Sequence, residues 1–491
     1  MAQLGVRGYL ACLQTSRRMP VKLASTLLAL FLFLAGLAPA QAPAEPELAA
    51  ARAATVAQLE TLVDYTGTAK LYLERDRAWE AIVRLDPANE AAHKGLKHTK
   101  NRDGSWKVPE KPATSKNFGK DLSECARRRA EIAALHRGAL VAIADKQSVT
   151  PAARRALFDE LLAIDPEDAQ SRALLGEARR DDQWVLAETV AGKARRAEFR
   201  ALVKELVGAV NPPSSIEPRE REASLGVAWT ACVTTGKVRV FSSGDAAEAK
   251  NVAVQCTAAV ELFRRVTAAP KDLPDVVDIY LLTSAGARDA FVAAWPGWSA
   301  EERSRVKTWA GTGLPNEIHH ARWDSDAPKR LDGAVRHMLG LLTLWNYGFD
   351  HQKCAWAWEG FGLYLTRELV GTHYTWYSTG PTSADAESKE LLGKLMMGDA
   401  NWINEAYQRS KRGKGTKVEA LCSRPIDKLG VDDVLTAYAL AAYLLEGRAA
   451  SVGALFTALG TGPSDKALAD TLALTPAELD AVLVRWMGER K

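Results

Sequence analysis

The 491-residue chain has little cysteine, little net charge and few long apolar runs. Its six cysteines show no CxxC spacing, which speaks against a zinc site built from thiolates. The net charge is +4, and residues 1–42 carry four basic and no acidic residues. The remainder is therefore close to neutral, which implies no nucleic-acid partner and no anionic membrane surface. The chain also lacks a G-x-S-x-G nucleophile elbow and a phosphate-binding loop.

The one long apolar run, residues 23–37, lies close to the N-terminus and has the pattern of a secretory signal. Arg17, Arg18 and Lys22 precede it, and the small-residue sequence Ala38-Pro39-Ala40 follows it. Its length of about 15 residues falls short of the ~20 residues that span a bilayer. We predict that residues 1–42 are the signal peptide of a secreted or periplasmic bacterial protein. If the segment is not cleaved, the protein is instead anchored to the membrane.

The cysteines that follow the signal are Cys125, Cys232, Cys256, Cys354 and Cys422. Export permits disulfides, and Cys232 with Cys256 is one candidate pair. Buried free thiols are the alternative, and the odd number leaves at least one thiol unpaired.

Residues 43–210 are predicted to be helical and to contain an internal repeat, behind a linker rich in Ala, Pro and Glu at residues 42–54. The first copy begins at Trp79 and reads WEAIVRLDPANEAAHKGLKHTKNRDGSW; the second begins at Phe158 and reads FDELLAIDPEDAQSRALLGEARRDDQW. Each copy predicts a helix, an Asp-Pro pair whose aspartate caps a second helix, and a polar turn that ends in tryptophan. The pattern resembles tetratricopeptide-like helical hairpins, which usually bind a partner or pack against a neighbouring domain.

Residues 211–491 are predicted to form a second domain, in which a small sheet precedes further helices. The sequence Asn211-Pro212-Pro213-Ser214-Ser215 breaks the helical pattern and marks its start. The predicted strands are 228–233, 238–242, 276–282 and, at a sheet edge, 316–322; the predicted helices include 246–266, 285–294, 434–446 and 476–487. We expect an α+β fold that is mostly helical, with N-terminal helical hairpins, a small sheet and a helical C-terminal lobe.

Residues 329–365, KRLDGAVRHMLGLLTLWNYGFDHQKCAWAWEGFGLYL, predict two apolar helices around a short polar loop. The second helix contains W-x-x-E-G-x-G-x-Y, which is centred on Glu359. This motif resembles that of the gluzincins, the thermolysin-like zinc peptidases, in which the glutamate is the third zinc ligand. The preceding helix of that family carries HExxH. His337 matches its first histidine, whereas Met338 and Leu341 replace its glutamate and its second histidine.

The resemblance implies a degenerate zinc site. A catalytic zinc normally needs three protein ligands, and the motif register offers two, His337 and Glu359. Met338 cannot act as the general base, a role worth about 10²–10⁴ in rate, and Leu341 cannot bind zinc. We therefore predict a gluzincin-like pseudoenzyme, with no catalytic residue and no cofactor, that acts in binding or scaffolding.

Two other hypotheses remain open. In the first, the chain is an active zinc-dependent hydrolase whose rearranged site adds one more ligand to His337 and Glu359. The candidates for that ligand are His319, His320, Asp350, His351 and His373. Against it, adjacent residues such as His319 and His320 point to opposite faces of a strand. In the second, the chain is an envelope protein that binds partners through its helical hairpins, and the second domain is only structural.

Aromatic residues concentrate around the second motif. Trp356, Trp358 and Tyr364 are candidates for a groove that binds a peptide or glycan, with a tryptophan-rich core as the alternative. Glu359 is expected to be buried and therefore to need a partner. His337 and Arg336 are the nearest candidates, and the motif register favours His337. The sequence names no partner beyond a protein or peptide bound at the hairpins or in the cleft.

Overall fold

The computed structural model describes residues 45–109, 115–146, 149, 151–374 and 386–490. The predicted signal peptide, residues 1–42, lies outside the described residues. Helices make up 63% of the structure and strands 9%, which confirms the mostly helical α+β fold. The described residues up to Ala187 form one compact unit, here called the helical unit, and those from Glu188 onward form another, the sheet unit.

The helical unit begins with a helix where the sequence suggested a linker. Its helices are α1 (Glu45–Thr68), α2 (Tyr72–Leu85), α3 (Glu90–Gly95), α4 (Leu122–Lys146), α5 (Pro151–Asp159), α6 (Leu161–Ile164) and α7 (Ala169–Leu174). Helix α1 starts at Glu45, so the linker prediction for residues 42–54 is wrong within the described part. The alanines of this segment have high helix propensity, and Leu48, Val56 and Leu59 give α1 a buried face.

Both copies of the repeat form the predicted helical hairpin, and each ends in a two-stranded antiparallel ribbon. The first ribbon is β1 (Thr99–Lys100) with β2 (Trp106–Lys107), and the second is β3 (Glu177–Arg180) with β4 (Gln183–Leu186). The capping prediction is wrong by three residues. The caps of α3 and α7 are Asn89 and Asp168, whose side chains accept backbone N–H groups. Asp86 and Asp165 instead close the turns between the helices by accepting N–H groups two residues ahead.

The sheet unit starts at residue 188, earlier than the predicted boundary at residue 210. Helix α8 (Ala187–Ala209) begins at the observed boundary and ends just before the predicted one, and its residues Val203 and Leu206 are buried. Arg196 on α8 donates to Oε2 of Glu446 at 2.7 Å, and both residues belong to the sheet unit. The helical period of α8 resembles that of the preceding helices, so the sequence offered no signal for the change of unit.

A mixed six-stranded sheet forms the first part of the sheet unit, in the order β5-β6-β7-β8-β10-β9. Its strands are β5 (Ser214–Ser215), β6 (Ala231–Thr235), β7 (Val238–Ser242), β8 (Val277–Leu281), β9 (Gly311–Gly313) and β10 (His320–Arg322). The predicted hairpin is the β6–β7 pair, and β7, β8 and β10 run parallel to one another. The edge-strand prediction for residues 316–322 is wrong, because β9 pairs with β10 and covers its outer side.

Helices cover both faces of this sheet, and those that follow complete the unit. They are α9 (Glu220–Ser224), α10 (Ala246–Thr267), α11 (Ala285–Ala294), α12 (Ala300–Val306), α13 (Ala327–Tyr347), α14 (Ala355–Val370), α15 (Ala386–Leu395), α16 (Trp402–Lys411), α17 (Val418–Cys422), α18 (Val431–Gly447), α19 (Val452–Thr461), α20 (Ser464–Leu472) and α21 (Pro476–Glu489). Helices α10 and α11 match their predicted ranges to within one residue. Thr475 and Glu478 form the predicted capped start of α21.

The cysteines of the described part are free thiols, so Cys232 and Cys256 are not a disulfide. Both are buried, which agrees with the alternative of buried thiols. Within the described residues, no single helix is long and apolar enough to cross a membrane. Residues Val431–Gly447 and Ala449–Thr461 meet the length and composition requirement only as a pair bent by 103°.

Candidate functional site

Two consecutive helices carry the motif residues, as the sequence predicted. Helix α13 begins at the cap Asp326, which accepts the N–H of Lys329, and ends at Gly348 with φ of 72°. Helix α14 begins after Cys354 and ends at Gly371 with φ of 81°. Both end residues adopt the left-handed conformation that glycine tolerates best. Most of the inward residues of both helices are buried, so the motif lies inside the sheet unit rather than on an open cleft.

Glu359 pairs with Arg336 and not with His337, so the expected His337–Glu359 pair is wrong. Nη2 of Arg336 donates to Oε2 of Glu359 at 2.7 Å, and the two side chains are 5% and 0% exposed. Nη1 of Arg336 donates to the carbonyl oxygen of Tyr374 at 2.7 Å. Oε1 of Glu359 has no hydrogen-bond partner among the described residues. One buried guanidinium thus neutralises the carboxylate that the family resemblance would assign to zinc.

His337 stacks on His320, with ring centroids 3.9 Å apart and an interplanar angle of 28°. The imidazole also bonds to the backbone of Ile318, while its Nε2 has no partner among the described residues. The bonded atom is therefore Nδ1–H, which donates to the carbonyl. The pKa of His337 falls to about 3, first because burial disfavours the imidazolium and second because the Arg322 cation is near. His337 is consequently a neutral, partly buried residue at the edge of the cavity.

The two replaced motif positions are part of the core. Met338 is 0% exposed and Leu341 is 5% exposed. A cavity of about 40 Å³ lies between α13 and α14, and neither residue lines it. Its lining side chains are Phe263, Arg336, His337, Leu339, Thr343, Trp358, Phe361 and Leu365. A space of this size holds a few water molecules.

The predicted groove of Trp356, Trp358 and Tyr364 does not form, because only Trp358 reaches the cavity. The Trp356 side chain is fully buried, and its ring lies 6.3 Å from that of Phe361. Tyr364 is buried on another side of α14, where its hydroxyl donates to Oε1 of Glu446 at 2.9 Å. Trp356 and Tyr364 therefore belong to the buried core, which was the alternative, whereas Trp358 is half-buried at the cavity.

The further zinc-ligand candidates do not converge on His337 and Glu359. His319 accepts the N–H of Asp278 through Nδ1 at 3.0 Å, whereas His320 stacks on His337. As expected for adjacent residues of a strand, the two point to opposite faces. His373 packs against Trp402, with ring centroids 4.3 Å apart.

The last two candidates are also engaged elsewhere: Asp350 accepts the N–H of Gln352, and His351 lies against the ring of Trp358. Among the described residues there is no group of three or more His, Cys, Asp or Glu side chains that could hold a metal ion.

Asp332 is a polar residue of this region that the sequence did not single out. Its Oδ2 accepts the Thr372 hydroxyl at 2.8 Å and the N–H of Tyr374 at 3.2 Å. Burial raises the pKa of Asp332 to about 6, while the Arg336 cation opposes the rise. Asp332 and Arg336 are four residues apart and share one helix face. Two charged residues four positions apart in an otherwise apolar helix could have indicated this buried polar cluster from the sequence.

In comparisons with known proteins, no family model, no curated protein and no solved structure matches the chain significantly.

Proposed function

We propose that the chain is an exported, gluzincin-like pseudoenzyme that acts in binding or scaffolding and does not cleave peptides. The observation that carries the proposal is the ion pair between Arg336 and Glu359, at 2.7 Å and almost fully buried. A divalent cation at Glu359 would lie beside a buried guanidinium, and like charges repel strongly where water is excluded. Arg336 thus takes the electrostatic role that a metal ion has in a zinc peptidase.

The missing general base supports the same conclusion. Met338 stands where the family has its catalytic glutamate, and it is fully buried. A general base must reach the water or substrate proton that it abstracts. The thioether of Met338 is too weak a base to accept that proton. Its burial also keeps it away from any substrate.

The small size of the cavity between α13 and α14 indicates that a partner binds elsewhere on the protein. Sites for small ligands usually enclose about 300–1,000 Å³, whereas the space between α13 and α14 is about 40 Å³. It cannot admit a peptide without separation of the two helices. The helical hairpins of residues 45–186 are therefore the better candidate for a partner surface, as in the hypothesis of an envelope interaction protein.

A peptidase assay with two matched variants tests the proposal. The purified full chain is supplied with zinc and incubated with a broad peptide mixture. We expect no chelator-sensitive cleavage of these peptides. Glu359→Gln removes the carboxylate of the motif. Glu368→Gln is the control, since Glu368 lies on the same helix and contacts Arg200 at 3.4 Å near the surface. Chelator-sensitive cleavage that Glu359→Gln abolishes and Glu368→Gln retains would overturn the proposal.

A further inference from the structure

The two copies of the repeat differ at one pair of equivalent positions. His93 and His98 of the first copy correspond to Arg172 and Glu177 of the second, each 79 residues later. In the second copy, Nη1 of Arg172 donates to Oε2 of Glu177 at 2.6 Å. In the first copy, Nδ1 of His93 lies 2.8 Å from Nδ1 of His98. An ion pair in one copy is thus replaced by two facing imidazoles in the other.

The surroundings of the two pairs are otherwise alike. The side chain of His93 stacks on Trp106 with ring centroids 4.3 Å apart, and the guanidinium of Arg172 lies 5.6 Å from the ring centroid of Trp184. Each also contacts the carbonyl oxygen of the proline in its turn. Nε2 of His93 lies 3.0 Å from that of Pro87, and Nε of Arg172 lies 2.8 Å from that of Pro166. The scaffold is the same, so the difference lies in the chemistry of the pair.

The hydrogen bond to Pro87 fixes the tautomer of His93. A carbonyl oxygen only accepts, so Nε2 of His93 must carry the ring proton. The neutral ring then has its lone pair on Nδ1, which points at His98. A ring nitrogen held by a backbone carbonyl while the other nitrogen presents a lone pair is the usual arrangement of a metal-binding histidine.

His98 completes the arrangement from the exposed side. It lies between the turn that follows α3 and strand β1 and is half-buried, whereas His93 is 5% exposed.

We propose that His93 and His98 bind a divalent transition-metal ion through their two Nδ1 atoms, with water in the remaining coordination positions. Imidazole nitrogen suits Zn²⁺, Ni²⁺ and Cu²⁺. Bond lengths of ~2.0–2.1 Å at a tetrahedral angle require the two nitrogens to be about 3.4 Å apart. The rings therefore separate by roughly half an ångström from their present contact. On binding, the ring proton of His98 moves from Nδ1 to Nε2, so the ring stays neutral.

Calorimetric titration of the untagged full chain with Ni²⁺ and with Zn²⁺ tests the site. The double variant His93→Arg/His98→Glu reproduces the ion pair of the second copy, so it should keep the fold. We expect one equivalent of metal to bind to the wild type and the affinity of the double variant to be at least about tenfold weaker. His351→Gln, which removes a histidine of the sheet unit beside Trp358, should bind as the wild type does.

Equal affinity of the wild type and the double variant, or no binding to the wild type, would overturn the proposal. Loss of binding in His351→Gln would do so as well, because it would locate the metal in the sheet unit. Should the double variant unfold, His98→Gln replaces it, since that side chain is partly exposed. Metal should also raise the melting temperature of the wild type and leave that of His98→Gln unchanged, because a ligand stabilises only the state that binds it.

Discussion

The helical unit and the sheet unit each bring two histidines together, and they do so in different ways. His93 and His98 meet through ring nitrogens 2.8 Å apart, with the ring planes inclined by 50°. His320 and His337 stack face to face with an interplanar angle of 28°. Ring N–H groups and lone pairs lie in the ring plane, so the Nδ1–H of His98 points at the Nδ1 lone pair of His93, whereas stacked rings direct these groups away from each other. Proximity of two imidazoles is therefore not enough to make a metal site.

The charged residues near the two histidine pairs also differ. Burial lowers the pKa of His337 and of His320, and the Arg322 cation acts in the same direction on both. Glu80 acts on His98 with the opposite sign. In the sheet unit the cation is Arg322, which is itself paired with Asp324 at 2.6 Å. In the helical unit, His93 is buried and His98 is half-buried.

The largest effect that the comparison predicts follows removal of the buried cation in the sheet unit. Arg336→Met should lower the free energy of unfolding by about 3–5 kcal/mol, because it leaves the Glu359 carboxylate buried and unpaired. Denaturant unfolding of the two proteins measures the difference. The matched control is Arg367→Met on α14, since that guanidinium bonds to the carbonyl oxygen of Gly371 near the surface. If Arg336→Met lowers the free energy of unfolding by no more than Arg367→Met does, the Glu359 carboxylate does not depend on Arg336 as its buried partner.

A second effect of burial should appear as a pH dependence of stability. The pKa of Asp332 is raised from 3.8 to about 6, so between these values the folded protein binds a proton that the unfolded chain has lost. The contribution of Asp332 to stability therefore falls as pH rises from about 4 to 6, and it is constant above that range. At ~1.4 kcal/mol per pKa unit, the total is about 3 kcal/mol.

Asp332→Asn tests this dependence, because the amide keeps an oxygen for Thr372 and for the N–H of Tyr374. The variant should match the wild type near pH 4 and become the more stable of the two by up to about 3 kcal/mol at pH 7. Chemical unfolding of both proteins at a series of pH values provides the comparison. A stability difference that does not change with pH would mean that Asp332 titrates normally in the fold.

Much of this fold follows from local patterns in the sequence. Helices α10 and α11, the β6–β7 hairpin, the capped start of α21 and the helical hairpins all depend on period, turn residues and caps. These signals act within a few residues of each other. The interior position of β10 was missed because its partner β9 is Gly-Thr-Gly, which has little strand propensity. The two compact units divide at the start of helix α8, where the helical pattern of the sequence continues without a break.

The choice of partner for Glu359 lay beyond such patterns. His337 and Arg336 are adjacent, so they differ by about 100° around the helix. A modest rotation of α13 about its axis decides which of them faces α14. That rotation depends on packing against the sheet and α14, including the close approach of Gly340 to Trp358, where a Cβ atom would lie 2.3 Å from the indole. The motif identified the pair of helices, and tertiary packing selected the contact.

Two double-mutant cycles at Glu359 test the central claim most directly. Glu359→Gln is combined with Arg336→Met in one cycle and with His337→Gln in the other, and unfolding free energies are measured for all variants. The ion pair at 2.7 Å predicts a coupling above about 1 kcal/mol in the first cycle. His337, engaged by His320 and Ile318, predicts additivity within about 0.5 kcal/mol in the second. Strong coupling of Glu359 to His337 together with additivity toward Arg336 would contradict the account, because it would restore the arrangement of a zinc peptidase.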